Sequence, residues 1–138
     1  MKICACVAEY NPFHLGHLKH IDYMKNVLGA EKIIVIGSMN ADLVIHSPQM
    51  PNLGETLTGS NFQINAGGKG LNQAVAISKL GGDVSFLGAV GEDSNGELLL
   101  NELCNSNVDF KGFKTKESPT GIAMITVVDG NNFIILDA

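Results

Sequence analysis

The chain has 138 residues, 45% apolar and 17% charged, with 9 basic against 14 acidic side chains and a net charge of −5. These proportions exclude a collagen-like, disordered or polybasic chain and describe one soluble acidic domain. Sixteen glycines, against a usual level of roughly 7%, point to tight turns and close backbone approaches instead of a helical bundle. With no Trp, six Phe and two Tyr, the core has to be mainly aliphatic, and a chain this long buries roughly two-thirds of its unfolded surface. No apolar run approaches the roughly 20 residues of a membrane span. The apolar start at residues 3–8 is cut by Glu9 and has only Lys2 as a basic flank, so a cytoplasmic address without membrane attachment is expected. Cys4 and Cys6 lie in that apolar start, Cys104 stands alone, and no second Cys/His pair has zinc spacing; reduced, buried thiols and no metal site follow. The absence of a Lys/Arg cluster gives no electrostatic case for binding nucleic acid.

In chain order, residues 2–8 read as a strand and Asn11-Pro12 as a turn. Leu15, Leu18, Ile21, Met24 and Leu28, spaced by three and four, predict an amphipathic helix over 15–28 that ends at Gly29. The run 32–36 is rich in β-branched residues and stops at Gly37-Ser38, as a buried parallel strand does. A strand, helix and strand thus fill the first 37 residues. Leu43-Val44-Ile45 is apolar, Pro48, Pro51 and Gly54 punctuate the chain, and 55–64 alternates like an exposed or edge strand. A helix over 71–80 is stopped by Gly81-Gly82, and a buried strand is expected over 84–90. Asp93-Ser94 caps a helix through Leu103, residues 108–113 suit a strand, and 120–128, the turn 129–132 and 133–136 form a hairpin.

Two motifs carry chemistry. Gly67-Gly68-Lys69-Gly70-Leu71-Asn72-Gln73-Ala74 is followed after six residues by Gly81 and after nine more by Gly91. A polyol ligand needs a carboxylate and amides at fixed positions, with backbone able to approach closely. Asn40 and Asp42 fall just past the C-terminal end of a parallel strand, where open α/β sheets bind ligands. Gly67 and Gly68 allow main-chain approach, and Lys69 and Asn72 at a helix start supply donors. A plain phosphate loop or a mere turn is the alternative for the glycines taken alone.

The glycine signature, with Gly37-Ser38-Met39-Asn40-Ala41-Asp42, Pro51, Gly54-Glu55-Thr56 and Asn61-Phe62-Gln63 upstream, resembles the N-terminal part of the ribokinase-like (PfkB-type) carbohydrate kinases over residues 31–138. The resemblance implies a Rossmann-like α/β fold, a parallel sheet with a small β-lid, and ATP- and Mg2+-dependent phosphorylation of a sugar such as D-ribose. It places Asn40, Asp42, Gly67, Gly68, Lys69 and Asn72 on the ribose. It makes segments 43–65 and 120–136 the lid, through which a homodimer is possible. The family's catalytic aspartate, anion hole and ATP site belong to a later part of a longer chain. No Gly-Ala-Gly-Asp run occurs here, so the expectation is a truncated, catalytically incomplete domain with exposed sheet edges.

Ala8-Glu9-Tyr10-Asn11-Pro12-Phe13-His14-Leu15-Gly16-His17-Leu18 resembles the start of the bacterial tRNA-Met cytidine acetate ligase family, a branch of the HxGH nucleotidyltransferases. That resemblance puts His14, Gly16 and His17 against a nucleotide phosphate at a helix N-terminus. His20 continues the spacing but suits a solvated helix face. The chain is therefore expected to be a chimera, with a nucleotidyltransferase-like piece at 1–30, a sugar-kinase piece at 31–138, and a crossover between Asn26 and Gly37.

Overall fold

A computed structural model describes residues 2–4 and 15–137. The strands are β1 (Ile3–Cys4), β2 (Lys32–Ile36), β3 (Asn40–His46), β4 (Ser60–Gly67), β5 (Val84–Leu87), β6 (Ala89–Gly91), β7 (Asp109–Phe110), β8 (Phe113–Thr115), β9 (Ile122–Val128) and β10 (Asn131–Asp137). The helices are α1 (Leu15–Asp22), continued by a π-helical turn Tyr23–Val27, then α2 (Lys69–Lys79) and α3 (Ser94–Asn105). The α/β class and the parallel sheet with a small lid are as expected.

The first sheet has the order β1-β2-β5-β7, and every pair in it is parallel. The Lys32–Ile36 run is followed by Gly37, whose N–H still donates to the Leu87 carbonyl at 3.3 Å. Helices α2 and α3 supply Leu71, Ala74, Ile77, Leu99 and Leu103 to one apolar cluster with Ile33, Val35, Val84 and Phe86. Ile21 and Met24 join the same cluster, each 1% exposed. The N-terminal helical segment and the kinase-like segment therefore share a core, and β1 extends the sheet along β2 with Ile3 opposite Lys32.

The second sheet is the lid, in the order β10-β9-β3-β4. It is antiparallel except for β3 and β9, which run parallel with Ala41 opposite Ile122. It is longer than the sequence suggests, because β3 begins at Asn40 and β4 runs on to Gly67. Cross-strand pairing outweighs the poor strand propensity of Asn, Asp and Gly at those ends.

Other expectations need adjustment. The strand expected over 84–90 breaks at Gly88: β5 belongs to the first sheet, while β6 pairs with β8 in a separate two-stranded ribbon. The segment 108–113 divides likewise, between β7 and β8. Residue Lys69 already belongs to α2, and the 15–28 helix changes to π geometry at Tyr23. Cys104 is a free thiol but exposed, not buried, since it follows core-facing Leu103 on the outward side of α3. Cys6, most of the 2–8 strand and the Asn11-Pro12 turn lie outside the described residues. No described helix is long and apolar enough to cross a membrane.

Because Ile21 is buried in a cluster shared with the kinase-like segment, Ile21→Ala should lower the stability of the whole unit by about 2–4 kcal/mol. Urea unfolding should show this as a lower midpoint of a single transition. A separate early transition would show that 15–27 unfolds independently.

Candidate functional site

Strand β2 ends at Ile36, and the chain crosses through 37–39 into β3. Asn40 pairs with Gly67 and Asp42 with Asn65 across β3 and β4. Residues two apart on a strand share a face, so the Asn40 and Asp42 side chains lie on the same side of the lid. The Asp42 carboxylate covers Gly67, and any Cβ there would overlap it. The expected position beyond β2 holds, with the refinement that both residues are themselves in a strand.

Gly68 has φ +97, and a Cβ on it would come within 2.7 Å of the Met39 Cα. Gly70 lies as tightly against the Ser38 carbonyl and Phe86. Helix α2 thus starts directly against the β2–β3 crossing, with Gly68 as its N-cap residue. The Asn72 N–H donates to the Gly68 carbonyl at 3.0 Å. The geometry brings Asn40, Asp42, Gly67 and Gly68 together, with exposed Lys69 and half-buried Asn72 on the first turn of α2. His14 and the His17 side chain lie outside the described residues, and Gly16 is on exposed α1 surface.

A cleft of about 310 Å³ opens beside the crossing. One wall is 37–40, another is 89–91, and the third is Thr115 with 118–121. Asn40 is the sugar-site candidate that lines it. The third wall escaped sequence reasoning, which treated Thr120 as the start of a hairpin. The available signal was Pro119-Thr120-Gly121, a turn sequence placed directly before a strand. Among the described residues, no group of three or more His, Cys, Asp or Glu side chains could hold a metal ion.

Burial raises the Asp42 pKa above the ordinary carboxylate value, and no hydrogen bond or cation among the described residues offsets it. The carboxylate therefore has acceptor capacity open to a ligand.

A parallel α/β sheet and a β-lid thus meet at a cleft lined by 37–40, 89–91, Thr115 and 118–121. The match to the pfkB family carbohydrate kinase model spans residues 30–138, and the chain belongs to that family. It is 45% identical over 106 residues to ribokinase of Lactococcus lactis, covering 76% of this chain and 35% of the relative. Ribokinase of Haemophilus influenzae is 43% identical over 106 residues, covering 75% and 35%. The structure of Arabidopsis thaliana ribokinase complexed with ribose and ATP superimposes with a TM-score of 0.71 at 36% identity, over 78% of this chain and 36% of that one. The chain spans about a third of the length of these curated relatives. Residues 1–41 match the model for HIGH Nucleotidyl Transferase, in keeping with the expected chimera.

Because its folded-state pKa is raised, ionised Asp42 opposes folding: stability falls as pH rises from below 3.8 through the raised value. Asp42→Asn should therefore be at least as stable as the parent at pH 7, with the difference shrinking as pH falls toward 3.8. Thermal unfolding across that range checks the sign, and a variant markedly less stable at pH 7 would contradict it.

Proposed function

We propose that the chain carries the sugar-binding half of a cytoplasmic ribokinase-type kinase, whose reaction is ATP-dependent phosphorylation of D-ribose. The observation that carries this reading is the half-buried Asp42 carboxylate, held over Gly67 on the same strand face as Asn40. Asp42 would accept hydrogen bonds from two sugar hydroxyls, while the Asn40 and Asn72 amides and the Lys69 ammonium would donate. Gly67 and Gly68 would let the sugar approach the main chain. In the family reaction ATP supplies the phosphoryl group. Asn40, Asp42, Lys69 and Asn72 would bind and orient the acceptor. The division into a piece at 1–30 and a kinase piece at 31–138 forms part of this proposal.

A second reading rests on the separate match over residues 1–41: His14, Gly16 and His17 would hold the phosphates of a nucleotide. As for partners, β10 presents Phe133, Ile134, Ile135 and Leu136 to solvent, Ile135 at 73% exposure. Phe133 and Ile135 lie on one side of this edge strand and Ile134 and Leu136 on the other, and the strand suits a homodimer formed lid to lid.

One set of hydrogen-exchange maps tests these assignments. Ribose at millimolar concentration should slow exchange at 40–42 and 66–72, and Asp42→Ala should weaken the ribose response at least tenfold, or roughly 1.4 kcal/mol. An undiminished response in that variant would refute the sugar site. Protection by ATP confined to 9–20 would support the nucleotide reading, and its absence would count against it. Protection of 131–137 that grows with protein concentration should accompany dimerisation; concentration-independent exchange there would exclude a lid-to-lid dimer.

A further inference from the structure

Outside the six sugar-site candidates, one polar side chain ties together parts of the chain that sequence leaves far apart. Asp93 is the N-cap of α3, and its Oδ1 accepts from the Gly96 N–H at 2.8 Å. Its other oxygen, Oδ2, accepts from the Thr120 N–H at 2.7 Å, across 27 residues. Thr120 is 4% exposed, and its hydroxyl oxygen accepts from the Gly91 N–H at 2.9 Å. Gly91 and Gly96 make the approach possible: a Cβ on Gly91 would stand 2.5 Å from both Asp93 Oδ2 and the Thr120 nitrogen, and one on Gly96 would overlap the Gly91 carbonyl. Beyond this knot the Gly121 carbonyl accepts from the Ala41 N–H at 2.9 Å. The same short segment is thus fastened to α3 on one side and to β3 on the other.

We propose that Asp93 is a positioning residue that latches the 118–121 wall of the cleft, and with it the root of lid strand β9, onto the N-terminus of α3. A cap alone needs one acceptor oxygen, which Asn supplies as well as Asp. The latch needs two acceptors, because the Gly96 and Thr120 N–H groups approach different oxygens. An amide has only one, and its NH2 would face a donor. The backbone donors also hold the Asp93 carboxyl below its ordinary pKa, the Thr120 N–H foremost, in keeping with an ionised acceptor at neutral pH. The position of the wall does not depend on which ligand the cleft takes, although its consequence for ribose rests on the sugar-binding reading.

Asp93→Asn separates a cap from a latch. In the full chain, hydrogen exchange at 120–122 should become about tenfold faster, the loss expected for one charge-assisted bond, while the amides of α3 stay protected. Thr120→Val keeps the backbone donor to Asp93 but removes the acceptor for Gly91, so exchange should rise at Gly91 and leave Gly96 unchanged. If Asp93→Asn exchanges like the parent at 120–122, or loosens α3 as much as Asp93→Ala does, the latch is refuted and Asp93 is a cap only. Faster exchange at 120–122 with weakened ribose response supports the latch and its role in the sugar cleft. Faster exchange with unchanged ribose response supports the latch and counts against the sugar assignment of this cleft.

Discussion

The structure depends on one crossing of backbone over backbone. Residues 38–40, leaving the parallel sheet, lie directly against Gly68 and Gly70 at the start of α2, where a Cβ would meet main-chain atoms at 2.7 Å. Such contact excludes every side chain and, at Gly68, also requires positive φ. From this point the chain leads in one direction into the sheet and in the other into the lid. The pairing of Asn40 with Gly67 carries the crossing on into β3 and β4. Asp42 is set over Gly67 as a consequence, and its carboxylate fills the space that a side chain at Gly67 would need.

The lid is held by the crossing on one side and by the 118–121 segment on the other. The anchors combine main-chain and short polar groups with a little apolar burial at the crossing, where Met39 joins the apolar cluster and Ala66 of β4 packs against it. Large apolar side chains on β4, β9 and β10, among them Phe62, Ile64, Met124 and Ile135, remain exposed. The apolar cluster lies instead among the parallel sheet and its helices, and it includes two residues of the N-terminal segment. Covering Ile21 and Met24 there joins the two stretches that resemble different families by ordinary burial of aliphatic surface.

Much of this was legible in the sequence because it is local. The β-branched run 32–36, the Asp93 cap, the Gly81-Gly82 stop and the Asp129-Gly130 turn each act within a few residues. The glycine signature marked the crossing, and Asn40 and Asp42 were found from their place beyond β2. What could not be read were pairings decided at long range. The break at Gly88 depends on which strands lie beside β5 and β6. The third wall of the cleft depends on Asp93 meeting Thr120; Pro119-Thr120-Gly121 marks a turn, but not the distant carboxylate that the turn meets. Cys104 was misjudged because residue type suggests burial, while helix phase, set by Leu99 and Leu103 facing inward, turns it to solvent.

The central claim is that close contact between Gly68 and residues 38–40 sets the geometry around Asn40 and Asp42, the proposed sugar half-site. The most direct test is hydrogen exchange of Gly68→Ala with and without ribose. Loss of protection at 40–42 and 65–67, loss of the ribose response, and retained protection in α3 and β5 are the predicted result. Parent-like protection at 40–42 together with an intact ribose response would contradict the claim.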